Sequence, residues 1–236
     1  MRLLADVFEF FMTPESWLGG DGLLARTVDH LGLSLLATLV AVVLALPAAI
    51  WLGHRRQGAF LAVALVNVGR AVPSFGIVAL AFPLSLRLGL GLGPWPTFVA
   101  LVALALPPVF TNSYTGVREV DPATVEAGRG MGMSEFQLLF GTELPLAMPV
   151  IWTAIRVTTV QVIATATLGA VIGWGGLGRY LIDGFAQGND VWVLAGGIMV
   201  AGLAILVDLA FSLAERWVLP TGLTARSRAQ VEAIAV

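Results

Sequence analysis

REVDPATVEAGRGMGMSEFQLLFGTELP, residues 118–145, is the stretch that decides the fold. It interrupts a run of apolar segments with seven charges: Arg118, Glu119, Asp121, Glu126, Arg129, Glu135 and Glu143. Its local signals read as two short helices. Asp121-Pro122 sets an N-cap residue before a proline at the first helical position. Val125, Glu126 and Ala127 continue that helix until Gly128, Gly130 and Gly132 stop it. Ser134 followed three residues on by Gln137 is a capping box that opens a second helix, and Gly141 and Pro145 close it. Phe136, Leu139 and Phe140 fall on one side of this second helix. A short helix that offers aromatic residues to water calls for apolar cover, from the ends of its own bundle or from a partner's groove. Periodicity alone leaves both open.

On either side of this loop the chain reads as membrane spans. Of 236 residues, 58% are hydrophobic and 12% charged, with a net charge of −2 and a mean hydropathy of +0.89. A soluble domain carries roughly 25% charged residues, so the composition is that of an integral membrane protein. It excludes a disordered chain and disfavours a basic nucleic-acid binder. With no cysteine, there is no disulfide, thiolate nucleophile or zinc–thiolate site. All 13 basic residues are arginine, which removes the lysine of a P-loop and Schiff-base chemistry. Stretches long enough to cross a bilayer run over about Leu31–Gly53, Gly58–Leu84, Leu88–Val117 (its helix starting near Trp95), Pro149–Ile172 and Val191–Phe211. The expected fold is an all-α integral membrane protein of about five spans.

Arginine placement orients it. Arg55, Arg56, Arg118, Arg129, Arg216, Arg226 and Arg228 fall on one side, and Arg2, Arg26, Arg87 and Arg179 on the other. Seven against four puts the N-terminus outside and the 118–146 loop and C-terminus in the cytoplasm. Trp17, Trp51, Trp95, Trp152, Trp174, Trp192 and Trp217 sit at or near span ends, as an interfacial belt predicts; a quaternary-ammonium cage is the alternative use of such rings. Residues 1–25 read as an external amphipathic segment, 26–217 as the transmembrane domain and 218–236 as a cytoplasmic tail.

The loop's spacing adds a resemblance. Glu126-Ala127-Gly128, three residues, Gly132, nine residues, then Thr142-Glu143-Leu144-Pro145 resembles the cytoplasmic signature of type I ABC-transporter permeases. Gly128 stands where that pattern has a second alanine, and Thr142 where it has isoleucine. Val72-Pro73-Ser74, Val120-Asp121-Pro122, the run from Glu143 to Val150 and Gly173-Trp-Gly-Gly-Leu-Gly178 look like the osmoprotectant branch, permeases for glycine betaine, choline, carnitine or proline. The likeness covers roughly residues 27–216. It implies a type I ABC importer transmembrane domain whose loop is a coupling helix docking on a separate ATPase subunit. The residues implied in that role are Glu126, Ala127, Gly128, Gly132, Ser134, Glu135, Phe136, Gln137, Leu139, Phe140, Leu144 and Pro145. Implied partners are ABC ATPase subunits, a second permease chain (identical or a sister), an extracytoplasmic solute-binding protein and the lipid bilayer. ATP-Mg would bind the ATPase, with no cofactor on this chain.

Polar residues inside the spans are candidates for a translocation path. Arg70 lies near mid-bilayer just before Pro73 and Ser74, where the second span is expected to break. It lines a path with Asn67, or else faces the bundle and pairs with a carbonyl or Asp208. Thr158, Gln161 and Thr165 share one face of the fourth span, although threonines also satisfy their own helix carbonyls. Gly173-x-Gly175-x-x-Gly178 matches a dinucleotide fingerprint but follows a membrane span, not a strand, so it reads as a tight external turn. A methionine-type amino-acid permease and a membrane-embedded enzyme are the other functional readings. The second lacks a catalytic constellation, since His30 and His54 stand near opposite ends of the first span. No metal site is expected.

Overall fold

The computed structural model describes residues 2–71, 74–89, 91 and 93–219; Pro73 and the tail arginines Arg226 and Arg228 lie outside them. Helices α1 (Arg2–Met12), α2 (Leu23–His54), α3 (Ala59–Ala71), α4 (Ser74–Arg87) and α5 (Trp95–Arg118) form the first half. The second half comprises α6 (Pro122–Gly130), α7 (Glu135–Leu138), α8 (Leu144–Ala166), α9 (Gly178–Gln187) and α10 (Asp190–Val218). Among the described residues, α2, α5, α10 and the stretch through α8 are long and apolar enough to cross a bilayer. The second expected span is two shorter helices, α3 and α4. The spans also begin or end beyond the charge-free windows: α2 starts eight residues early and α10 runs seven residues past Phe211. Charged residues at the ends of a span extend to water while their backbone stays helical.

The helices pack through small residues. One stripe of α2, Ser34, Ala37, Thr38, Ala41, Ala45, Ala49 and Gly53, is buried along its whole length. Without a hydrophobic force between helices in lipid, such stripes permit the close approach that dispersion contacts require. At Gly53 a Cβ would stand 2.9 Å from the Tyr114 carbonyl oxygen of α5, so glycine sets that distance. Ala37 and Ala41 meet Leu101 and Ala105, while Ala45 and Ala49 meet Val109 and Phe110; α2 and α5 therefore run parallel. Helix α8 runs the other way, with Gly116 against Val150 and Leu101 and Ala105 in one cluster with Val162. Helix α10 returns along α8, pairing Ile163 with Val200 and Leu203 and Trp152 with Phe211.

The loops consequently collect at two ends. One end holds the α2–α3 turn, the 118–146 loop and the end of α10. The other holds α1, the 13–22 segment and α9, joined where Tyr180 Oη donates to the Asp21 carbonyl at 2.9 Å and Trp17 Nε1 donates to the Phe11 carbonyl at 2.8 Å. Trp174 departs from the belt expected of the tryptophans. It is 8% exposed and stacks on buried His30 with ring centroids 6.0 Å apart. The left-handed Gly173 and Gly176 (φ +87° and +74°) fold the 173–178 turn back over the bundle, which carries the indole inside.

Candidate functional site

The 118–146 loop folds as its caps dictate. Asp121 Oδ1 accepts from the Ala123 amide at 3.0 Å, and Pro122 follows in the first turn of α6. Gly132, at φ +84°, ends the segment in the left-handed conformation. Ser134 and Gln137 form the reciprocal capping box, with Ser134 N donating to Gln137 Oε1 at 2.8 Å. Gly141 and Pro145 do not close the second helix. A π turn, Leu139–Glu143, carries it into α8. Pro145 has no N–H to donate and its ring would strike the carbonyl of Gly141; widening the preceding turn relieves both, so the helix continues.

This continuity rotates the side chains. Phe136 is 70% exposed and Phe140 50%, their rings 4.4 Å apart. Leu139, which the sequence groups with them, turns inward with Leu138 instead, against Val117, Val120, Val125, Ala147 and Ile151. The leucines are therefore covered by the bundle, while among the described residues Phe136 is left largely open and Phe140 half open. Glu126, Ala127, Gly132, Ser134, Glu135 and Gln137 are exposed beside them, while Leu144 and Pro145 are half-buried. Gly128 is buried, and a Cβ there would lie 2.8 Å from Leu138 Cδ1, a local packing reason for glycine in place of the family's alanine.

A chain of charges ties this loop to the end of α2. Arg129 donates from Nε and Nη2 to the two carboxylate oxygens of Glu135, at 3.0 and 3.1 Å. That bidentate bond holds the Glu135 carboxyl below its ordinary range. Glu135 Oε2 lies 3.2 Å from His54 Nε2, and His54 Nδ1 is hydrogen-bonded to Glu143. The imidazole donates to both carboxylates when both nitrogens carry a proton. His54 and Glu143 are both buried, at 6% and 2% exposure. Arg56 adds a bond from Nη2 to the Val120 carbonyl at 3.3 Å. No sequence motif announces this relay; its members His54 and Glu143 are 89 residues apart in the chain.

Within the spans, Thr158 is buried with its Oγ1 unpartnered among the described residues, Thr165 donates to the Gln161 carbonyl at 2.8 Å, and Gln161 itself is exposed. Asn67 is exposed on α3. The side chains of Arg70 and Ser74, and all of Pro73, lie outside the described residues. Asp208, considered as a partner for Arg70, is held by Arg156 of α8 through bonds of 2.6 and 2.7 Å, with Glu215 3.8 Å from the same guanidinium. Arg156 is missing from the candidates drawn from sequence, although it stands in the middle of the fourth span. One arginine and one aspartate in two spans that are otherwise uncharged is the signal that could have found it.

Comparison with known proteins places this geometry. A family model described as binding-protein-dependent transport system inner membrane component matches residues 33–220. The chain is 37% identical over 204 residues to the choline transport system permease protein OpuBB of Bacillus subtilis (strain 168), covering 86% of this chain and 92% of that protein. It is 38% identical over 196 residues to the carnitine transport permease protein OpuCB of Listeria monocytogenes, covering 83% and 88%. A solved inward-facing structure of the MetNI methionine ABC transporter matches with a TM-score of 0.73 at 23% identity, over 84% of this chain and 97% of that one. At that identity the likeness is one of fold.

Proposed function

The chain belongs to the family of binding-protein-dependent transport system inner membrane components, and we propose that it is the membrane-spanning permease subunit of an ATP-driven importer for compatible solutes such as glycine betaine, choline, carnitine or proline. The observation that carries the solute class is the 37% identity to a choline permease across 86% of the chain. The match to a methionine transporter is a match of fold, so the methionine-type reading has no comparable support.

The mechanism follows from the loop. In the proposed topology it faces the cytoplasm, and an ATPase subunit covers Phe136 and Phe140. Closure of two ATPase copies, which ATP-Mg held on those subunits would drive, carries the loops with it. Glu126, exposed on the same loop and in no ion pair among the described residues, favours a basic rim on the partner, whereas Glu135 is already held by Arg129. The displacement reaches α8 directly, since α7 runs into it through the π turn. It reaches α2 through Arg129, Glu135, His54 and Glu143. A second permease chain completes the path, to which Gln161 and Thr165 of α8 offer polar groups while Thr158 stays buried inside this chain, and an extracytoplasmic binding protein delivers the solute. Lacking any lysine, the chain has no P-loop of its own.

The test is uptake of labelled choline and glycine betaine into liposomes holding this permease, its ATPase, its partner permease and binding protein. Uptake should require ATP, the ATPase subunit and the binding protein together. Solute accumulation without the ATPase would make the chain a self-sufficient carrier and end the proposal. Uptake of methionine but of no quaternary ammonium solute would move it to the amino-acid class.

A further inference from the structure

Helix α10 meets α8 in two unlike halves. Away from the docking loop, fully buried Ile163 of α8 shares one apolar cluster with Val200 and Leu203. Toward the loop, the contact is Trp152 against Phe211, with ring centroids 5.2 Å apart, and a triad of charges. Arg156 donates from Nε and Nη2 to the two oxygens of Asp208 at 2.6 and 2.7 Å. Its third nitrogen, Nη1, lies 3.8 Å from Glu215 Oε2, beyond hydrogen-bond distance. We propose that Arg156 exchanges Asp208 for Glu215 as the permease alternates between its two conformations, which makes Glu215 a positioning residue for transport. The exchange rests on the transport reading above.

A guanidinium within a bilayer is costly without a counter-charge. The contact between α8 and α10 can therefore shift only if Arg156 stays paired throughout. An arginine facing one acid is a fixed clasp, whereas an arginine between two acids has a second place to bind. Asp208 and Glu215 are seven residues apart, about two turns, so both lie on one face of α10. Long side chains of a helix lean toward its start, and α8 starts at the docking loop. The guanidinium thus leans toward Glu215, which stands three residues before the end of α10. Closing 3.8 Å to a bond takes a displacement of about 1 Å, the size of the helix shifts that switch proteins. The side chains have room for it, since between 27% and 39% of each is exposed. The buried contact of Ile163 with Val200 and Leu203 provides the pivot, and a push from the loop enters α8 at the near end through the π turn.

The experiment uses the full importer, this permease with its ATPase, partner permease and binding protein, in proteoliposomes. The probe is whichever of labelled choline and glycine betaine the unsubstituted importer takes up. Glu215→Gln should lower the maximal rate of ATP-driven uptake at least about fivefold, or about 1 kcal/mol, with the half-saturating concentration and the amount of assembled complex unchanged. Glu215→Asp, which keeps the charge, should recover part of that rate. Asp208→Asn should instead lower the amount of folded permease. The chain has no cysteine, so Val157→Cys and Leu213→Cys, both at exposed positions, carry its only spin labels. Their mean separation should move by about 1–2 Å or more when ATP and vanadate trap the closed ATPase, and Glu215→Gln should hold it at the nucleotide-free value. Uptake by Glu215→Gln within about twofold of the unsubstituted importer, a loss that Glu215→Asp does not ease, or a separation that moves equally in Glu215→Gln would each overturn the exchange and leave the transporter. An unsubstituted importer that takes up neither solute would end the transport reading and the exchange with it.

Discussion

Phe136→Ala isolates the docking role of the loop. A phenylalanine side chain exposes roughly 200 Å² when free, and 70% of Phe136 faces solvent, so about 140 Å² is available for a partner to cover. At ~25 cal/mol per Å² that is about 3.5 kcal/mol at full burial. The alanine retains a methyl group and interfaces seldom cover a ring completely, so a loss of about 2–3 kcal/mol is expected, which lowers the affinity for the ATPase subunit by roughly 30- to 150-fold. The permease itself should keep its stability, because so little of the ring is buried in it. The assay is titration of nanodisc-embedded permease with the ATPase, alongside denaturation of the permease alone. Leu138→Ala serves as the contrasting variant. That side chain is fully buried against Gly128 and Val125, so it should cost about 2–5 kcal/mol of stability with little direct effect at the docking surface. If Phe136→Ala leaves ATPase affinity within threefold, the aromatic pair has some other cover and the coupling reasoning fails.

The relay and the ion pairs make further predictions. His54→Leu or Glu143→Leu should each destabilise by about 3–5 kcal/mol, since either strands a buried polar partner, while the double variant should recover most of the stability and still transport poorly; denaturation midpoints paired with uptake rates check both halves. Arg156→Leu should lower the amount of folded protein in the membrane, and adding Asp208→Leu should restore it, as read by fluorescence-detected size exclusion; equal loss in single and double variants would remove the pairing as the cause. Because the Arg129 guanidinium depresses the Glu135 carboxyl, their tie is fully present above the ordinary carboxylate range and fades as pH falls through and below it. The stability difference between the native chain and Arg129→Gln, small at this exposed site, should therefore be constant from pH 6 to 8 and vanish under acid, in thermal melts recorded across that range.

Local rules make the loop legible in the sequence alone. Asp121, Pro122, Ser134 and Gln137 cap by contacts within three residues, and each does so in the folded chain. That the chain is a bundle of long apolar helices is readable for a similar reason, because a bilayer admits only such helices, although the second of the five expected spans is two shorter helices. What stays hidden depends on rotation and on distance along the chain. A single π turn decides that Leu139 faces inward and Phe140 outward, and no window of residues registers a turn of five instead of four. The partners His54 and Glu143, or Arg156 and Asp208, meet only once α2, α8 and α10 are packed together. Trp174 looks interfacial by position and is buried because two left-handed glycines fold its turn inward.

The packing also determines what a push on the loop can move. Val117, Val120, Val125, Leu138, Ala147 and Ile151 share one cluster, so the loop is continuous with the ends of both α5 and α8. His54 and Arg56 bind it to α2 at the same end. Those three helices meet closely at glycines, where a Cβ would stand 2.9 Å from the Tyr114 carbonyl oxygen at Gly53 and 3.0 Å from Val150 Cβ at Gly116. A force delivered at Phe136 is therefore shared among α2, α5 and α8, which form a packed block. Compliance lies where the described helix changes type: at the π turn 139–143 and at the 3-10 segment Thr167–Ile172 beyond α8. These flank the block at opposite ends, which is the arrangement a rocking motion needs if ATPase closure at one face is to open the other.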